Sequence, residues 1–159
     1  MKPPKSLTLF TRARPAQTTE AVERLLAVAA EAGVEVLVPA EEAEKHGLEE
    51  RDGVTLGADP DGPTDLAVVL GGDGTILATL GLFVNRDVPV FAVNFGAVGF
   101  LATVEREELE DGLRRAFRGE FEVLSLPALS FKTSGKRWLA VNDVSFHREP
   151  GGRVAELGY

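Results

Sequence analysis

Apolar residues fall along this chain in two rhythms. Leu7–Phe10, Val34–Val38, Leu66–Leu70 and Val90–Val93 are short apolar runs, and each predicts a strand. Between the first two, Val22, Leu25, Leu26 and Ala29 recur at helical spacing. Thr18 and Thr19 are N-cap candidates for that helix, Glu20 and Glu23 place acid near its start, and Gly33 stops it. Pro39 closes the second run. Glu41–Pro63 is acidic and becomes rich in Gly and Pro, which predicts a short helix followed by an exposed loop. Leu66–Leu70 has no polar break, as expected of a parallel strand covered on both faces. Ile76–Val84 predicts the next helix. This β-α-β-α-β order predicts an α/β fold, a Rossmann-like doubly wound parallel sheet, over residues 1–100.

The rhythm changes near Leu101. Glu105–Arg118 predicts a helix, with acids in its first turn, Leu109, Leu113, Ala116 and Phe117 on one face, and Gly119 after it. From Phe121 onward the chain reads as strands without helices: FEVLSLP, ALSFKT, RWLAV and NDVSFH. The turn TSGK fits a hairpin between Phe131 and Trp138. Residues 101–159 are therefore expected to form a second, β-rich domain, and only its start.

Composition narrows the class of partner. The chain has 159 residues, 44% hydrophobic and 26% charged, as is usual for a globular protein. No apolar run approaches the roughly 18 residues of a membrane span, and the opening MKPPKSLTLF, followed directly by charged residues, lacks the h-region expected of a signal peptide. The absence of cysteine fits a cytoplasmic protein. Seventeen basic against twenty-five acidic residues give a net charge of −8, which argues against nucleic acid or an anionic membrane as partner. Any phosphate ligand must then be held by local donors.

Those donors have a candidate place. Gly71-Gly72-Asp73-Gly74-Thr75 lies between a strand's carboxyl end and a helix N-terminus, where parallel sheets bind ligands. Glycines permit close backbone approach, and the helix offers free N–H groups, so the turn can cradle phosphate. It is neither the dinucleotide fingerprint nor a Walker loop, because the spacing differs and no Lys follows. Taken alone, it is equally a tight turn closed by the Asp73 side chain. A second glycine-spaced turn, Asn94-Phe95-Gly96-Ala97-Val98-Gly99-Phe100-Leu101, follows the next strand and would face the same crevice. Asp73 then has three open roles: holding a divalent cation between phosphates, taking a proton from an attacking hydroxyl, or hydrogen-bonding ribose. Asn142-Asp143 closes the run Trp138–Val141; it is either a turn or a grip on ribose or adenine.

With GGDGT, N-x-G-x-x-G-F-L and N-D-V-x-F-H-R in this order, the chain resembles the NAD kinases. These phosphorylate the 2′-hydroxyl of the adenosine ribose of NAD, with ATP as donor, to give NADP. The glycine turn alone is shared with lipid kinases and phosphofructokinases; the Asn94–Leu101 run and the Asn142-Asp143 pair single out the NAD kinase branch. The resemblance implies Asp73 as proton acceptor, and Asp73, Gly74, Asn142, Asp143 and Arg153 at the NAD site. It implies Gly71, Gly72, Gly74 and Thr75 as the phosphate-donor loop, with Asn94, Gly96 and Gly99 shaping the crevice. It also implies Mg²⁺, which Asp73 could help to hold, ATP and NAD as substrates, and homodimers or tetramers. His147 and Arg148 match the third motif.

Parts of the family pattern are missing. There is no Thr-Pro-x-Gly-Ser-Thr-Ala loop, Ala78 stands where the family is often basic, and the stretch around Leu124–Pro127 lacks an expected arginine. The expectation is a truncated chain with little or no activity of its own. A lipid or sugar kinase sharing the turn, and a non-catalytic nucleotide-binding module, are the alternatives.

Overall fold

Six parallel strands form the sheet that the apolar runs predict, in the order β3-β2-β1-β4-β5-β6. The structure, a computed structural model, describes residues 1–97, 99–102 and 104–145. It divides into two compact units, Met1–Ser125 and Leu126–Tyr159. The strands are β1 (Ser6–Thr11), β2 (Glu35–Pro39), β3 (Val54–Ala58), β4 (Leu66–Gly71), β5 (Val90–Asn94) and β6 (Val104–Glu105). The helices are α1 (Thr19–Ala32), α2 (Ala40–His46), α3 (Asp73–Leu82) and α4 (Leu109–Phe117). No helix of the described residues is long and apolar enough to cross a membrane.

Strand alternation divides the core between the two faces of the sheet. Leu7 and Leu9 of β1 with Leu66, Val68 and Leu70 of β4 point to one side, where α1 and α4 cover them through Val22, Leu25, Leu109 and Leu113. Phe10, Ala67 and Val69 point to the other, where α3 supplies Ile76 and the chain just beyond it supplies Phe83. The Phe10 and Phe83 rings meet edge to face at 6.2 Å. Every residue of β4 is buried, as its unbroken apolar run requires.

Several elements differ from the sequence expectation. The segment after α2 is not only loop: Val54–Ala58 pairs with β2 as the edge strand. Its pattern is half exposed, and Gly57, with φ of 71°, sits where the register slips between Val38 and Pro39. A bulged glycine in an exposed edge strand hides the alternation that marks a strand. The helix expected over Ile76–Val84 begins at Asp73 and ends at Leu82. Glu105–Arg118 is not one helix; Glu105 ends β6, Arg106–Glu108 is a 3₁₀ turn, and α4 starts at Leu109. Thr18 is the N-cap of α1 by position, but its hydroxyl makes no capping bond and donates instead to the Pro15 carbonyl, at 3.3 Å.

The first unit also extends past Leu101. Leu109, Leu113, Ala116 and Phe117 are buried in the same core as α1, which keeps α4 with the parallel sheet. In FEVLSLP the chain forms no strand, since Glu122–Leu126 is exposed and has no pairing partner among the described residues. The second unit, by itself, contains the hairpin expected around TSGK: β7 (Leu129–Thr133) pairs antiparallel with β8 (Lys136–Ala140), and Phe131 faces Trp138. Ser134 and Gly135 both have positive φ, as a two-residue turn of this twist demands. The described part of NDVSFH, residues 142–145, forms no strand.

Candidate functional site

The sheet order reverses direction between β1 and β4, and the crevice beyond such a reversal is where parallel sheets take ligands. Gly71 is the last residue of β4, Gly72 is the N-cap of α3, and Asp73, Gly74 and Thr75 form its first turn. Thr75 and Ile76 donate their N–H groups to the Gly72 carbonyl, at 3.0 and 3.1 Å. The N–H groups of Asp73 and Gly74, in the first turn, have no intrahelical acceptor and face outward from the helix start.

Both leading glycines lie at close approaches, Gly71 the tighter. A Cβ on Gly71 would lie 2.8 Å from Cβ of Thr75, inside the van der Waals limit. On Gly72 it would lie 3.3 Å from Cα of Gly96, so the two glycine turns meet backbone to backbone. The pairing of Gly71 with Asn94, and the bond from Phe95 N–H to the Gly71 carbonyl at 2.9 Å, continue the ladder between them.

Asp73 joins the two turns. Its carboxylate accepts the N–H of Phe100 at 3.2 and 3.3 Å and that of Leu101 at 3.3 Å. Two backbone donors fix the orientation of a half-buried carboxylate; both bond Oδ1, and Oδ2, which shares only the Phe100 N–H, keeps a further lone pair. Asn94 ends β5 and turns inward on its own loop: its Oδ1 accepts the Gly96 N–H at 2.9 Å, and its Nδ2 donates to Glu105 at 3.2 Å. A Cβ on Gly99 would strike that amide at 2.9 Å. Asn94, Gly96 and Gly99 thus set the loop's shape.

The structure brings Gly71, Gly72, Asp73, Gly74, Thr75, Asn94, Gly96 and Gly99 together at the carboxyl edge of the sheet. Asn142 and Asp143 follow β8 in the second unit, exposed; Asn142 donates to Asp143 at 3.2 Å and Ser145 to Asp143 at 2.9 Å. Within that unit they lie at a bend that follows β8, bonded to one another. His147, Arg148 and Arg153 lie outside the described residues. Among the described residues no three acidic or histidine side chains gather as a metal site. A cation here would have Asp73 as its protein ligand and phosphate oxygens for the rest, the usual manner for Mg²⁺.

Two residues at this edge escaped the sequence reading. Arg12, directly after β1, donates from its guanidinium to the Phe95 carbonyl. Arg106 stands over the Phe95 ring, 5.4 Å from its centre. With Gln17, Gly96 and Ala97 they line a cleft of about 400 Å³. The position of Arg12 at a strand's carboxyl end was a usable signal; Arg106 carried none, since only the fold returns it to Phe95.

A parallel α/β sheet with two glycine turns closing on one carboxylate at its carboxyl edge is the class of architecture in which phosphate ligands are commonly held. Residues 7–121 match the family model described as the ATP-NAD kinase N-terminal domain. The chain belongs to the NAD kinase family. It is 42% identical over 103 residues to the NAD kinase of Gemmatimonas aurantiaca, covering 61% of this chain and 36% of that protein. To the NAD kinase of Corynebacterium diphtheriae it is 37% identical over 122 residues, 71% of this chain and 38% of the other. The chain thus spans little more than a third of the length of these relatives. In fold it is similar to yeast NADH kinase crystallised with NADH, with a TM-score of 0.64 and 24% identity, over 74% of this chain and 37% of that one.

Proposed function

We propose that this chain supplies the glycine-turn half of an NAD kinase, which moves the γ-phosphoryl group of ATP to the 2′-hydroxyl of the adenosine ribose of NAD. The observation that carries the reading is the Asp73 carboxylate, held by the Phe100 and Leu101 N–H groups where the two glycine turns meet. Membership of the family supports it. Asp73 serves as proton acceptor for the ribose hydroxyl, while its two backbone bonds hold one oxygen toward the reacting group. The free N–H groups at the start of α3 stabilise phosphoryl oxygens as their charge shifts in transfer. Mg²⁺, with Asp73 as its protein ligand, would supply neutralisation of phosphate charge. Asn142, Asp143 and Arg153 are the proposed grip on the dinucleotide. The cysteine-free sequence suits a cytoplasmic enzyme, and homodimers or tetramers are the proposed assembly.

The test is Asp73→Asn in the full-length protein. The amide keeps one acceptor for the Phe100 and Leu101 donors, so melting behaviour should stay close to that of the parent. NADP formation should drop by roughly 10²–10⁴-fold, the usual contribution of a general base. Undiminished turnover in a folded variant would remove the proton-acceptor role.

A further inference from the structure

We infer that the cleft between Arg12 and Arg106 is a polyphosphate site, holding consecutive phosphate groups of a nucleotide beside the glycine turns. Both guanidinium groups are tethered to one residue, Arg12 through the Phe95 carbonyl and Arg106 through the Phe95 ring. Phe95 is itself buried, at 5% exposure, so it fixes both cations against the core. Two like charges lining one cleft repel, and an anion taken up between them relieves that repulsion.

No carboxylate does so. Among the described residues neither arginine forms an ion pair, although eight other pairings occur. Two acids of this edge are engaged elsewhere, Glu105 accepting from Asn94 and Asp73 from Phe100 and Leu101, while Glu107 and Glu108, which follow Arg106, are exposed and form no ion pair with it. The lining is Arg12, Gln17, Phe95, Gly96, Ala97 and Arg106, with no acidic side chain. In a chain of net charge −8, this lining carries two cations and no acid. Its volume, about 400 Å³, lies in the range of small-molecule sites. Planar guanidinium forks suit phosphate oxygens, and Arg12 has used only part of its donor set on Phe95. The Gly96 backbone that packs on Gly72 also forms part of this wall, so the cleft continues the crevice.

Phosphates could come from the triphosphate of the donor or from the pyrophosphate of the dinucleotide; that choice alone rests on the kinase reading. The cleft is tested on the 159-residue chain by calorimetric titration with inorganic tripolyphosphate, then ATP, then NAD, at fixed ionic strength. Tripolyphosphate should bind the parent chain, and the double variant Arg12→Gln, Arg106→Gln should weaken it about tenfold or more, since each lost contact is charge-assisted. Arg106→Gln alone alters an exposed side chain and should weaken binding without loss of fold. Arg12→Lys, Arg106→Lys should retain part of the affinity, because charge remains and the fork is lost. Weaker ATP binding with NAD unchanged places the donor there; the reverse places the dinucleotide there. Failure of the parent chain to bind tripolyphosphate, or equal binding by parent and glutamine variants, overturns the inference. Either result is independent of the turnover of Asp73→Asn.

Discussion

At the scale of single residues, the glycine turn is set by steric clearance more than by backbone freedom. Neither Gly71 nor Gly72 needs a positive φ; Thr75 occupies the space of a Cβ at Gly71, and Gly96 crowds that space at Gly72. Gly71→Ala should therefore cost about 1–3 kcal/mol through overpacking, read from urea denaturation of the chain. A change below a few tenths would mean that Thr75 gives way freely. Thr8 makes the opposite case. It is fully buried in β1, and its hydroxyl has no partner among the described residues. Thr8→Val removes an unsatisfied polar group at nearly constant volume, so stability should rise by about 1 kcal/mol. A fall would show that the hydroxyl is satisfied in solution. The sequence marked Gly71–Thr75 as important but not which glycine meets what, because Gly96 approaches only after β4 and β5 pair.

Among the elements, α2 is bound to the end of β1 by a polar cluster at the same edge of the sheet as the crevice. Thr11 donates to Glu42 at 2.6 Å and contacts His46 Nε2 at 2.8 Å; Lys45 donates to Glu42 at 2.7 Å, and Thr19 contacts His46 Nδ1 at 3.1 Å. The His46 side chain is fully covered. Burial lowers its pKa from the usual 6.5, Glu42 opposes that, and Lys45 adds to it. The unfolded chain then takes a proton more readily than the folded one. This stabilisation is complete above about pH 6.5 and is lost as pH falls toward the lower folded value. Melting temperature should decline between about pH 7.5 and 5.5, and His46→Gln should flatten the decline. An equal slope in the variant would assign the pH dependence to other groups. In α4, Leu113 is wholly buried in the core shared with α1. Leu113→Ala should cost about 2–5 kcal/mol by equilibrium unfolding, as a core truncation does. Helical spacing made that face legible in the sequence; it could not say which sheet the face would meet.

For the molecule as a whole, the sequence expectation of a change in character was sound, but the point of change was not readable from strand patterns. The first unit runs to Ser125 because α4 completes the cover over one face of the sheet. Between α4 and β7, Glu122–Ala128 is exposed and without regular structure. Exposed irregular backbone is where proteases cut first. Limited chymotrypsin digestion should release a resistant fragment ending at Leu124, beside Ser125, seen by mass spectrometry. First cuts near Leu101 would instead favour the earlier boundary.

Apolar periodicity alone determined four of the six strands, the major helices and the hairpin, since burial imposes its period directly on the residues. The glycine turns and Asp73 were legible for a like reason: few residue types satisfy a strand-to-helix turn at a ligand edge. The short partner β6, the bulged β3 and the cleft between Arg12 and Arg106 came only from the tertiary structure. A two-residue strand has no period, a bulge breaks one, and two arginines far apart in sequence become a site only when the sheet brings both to Phe95.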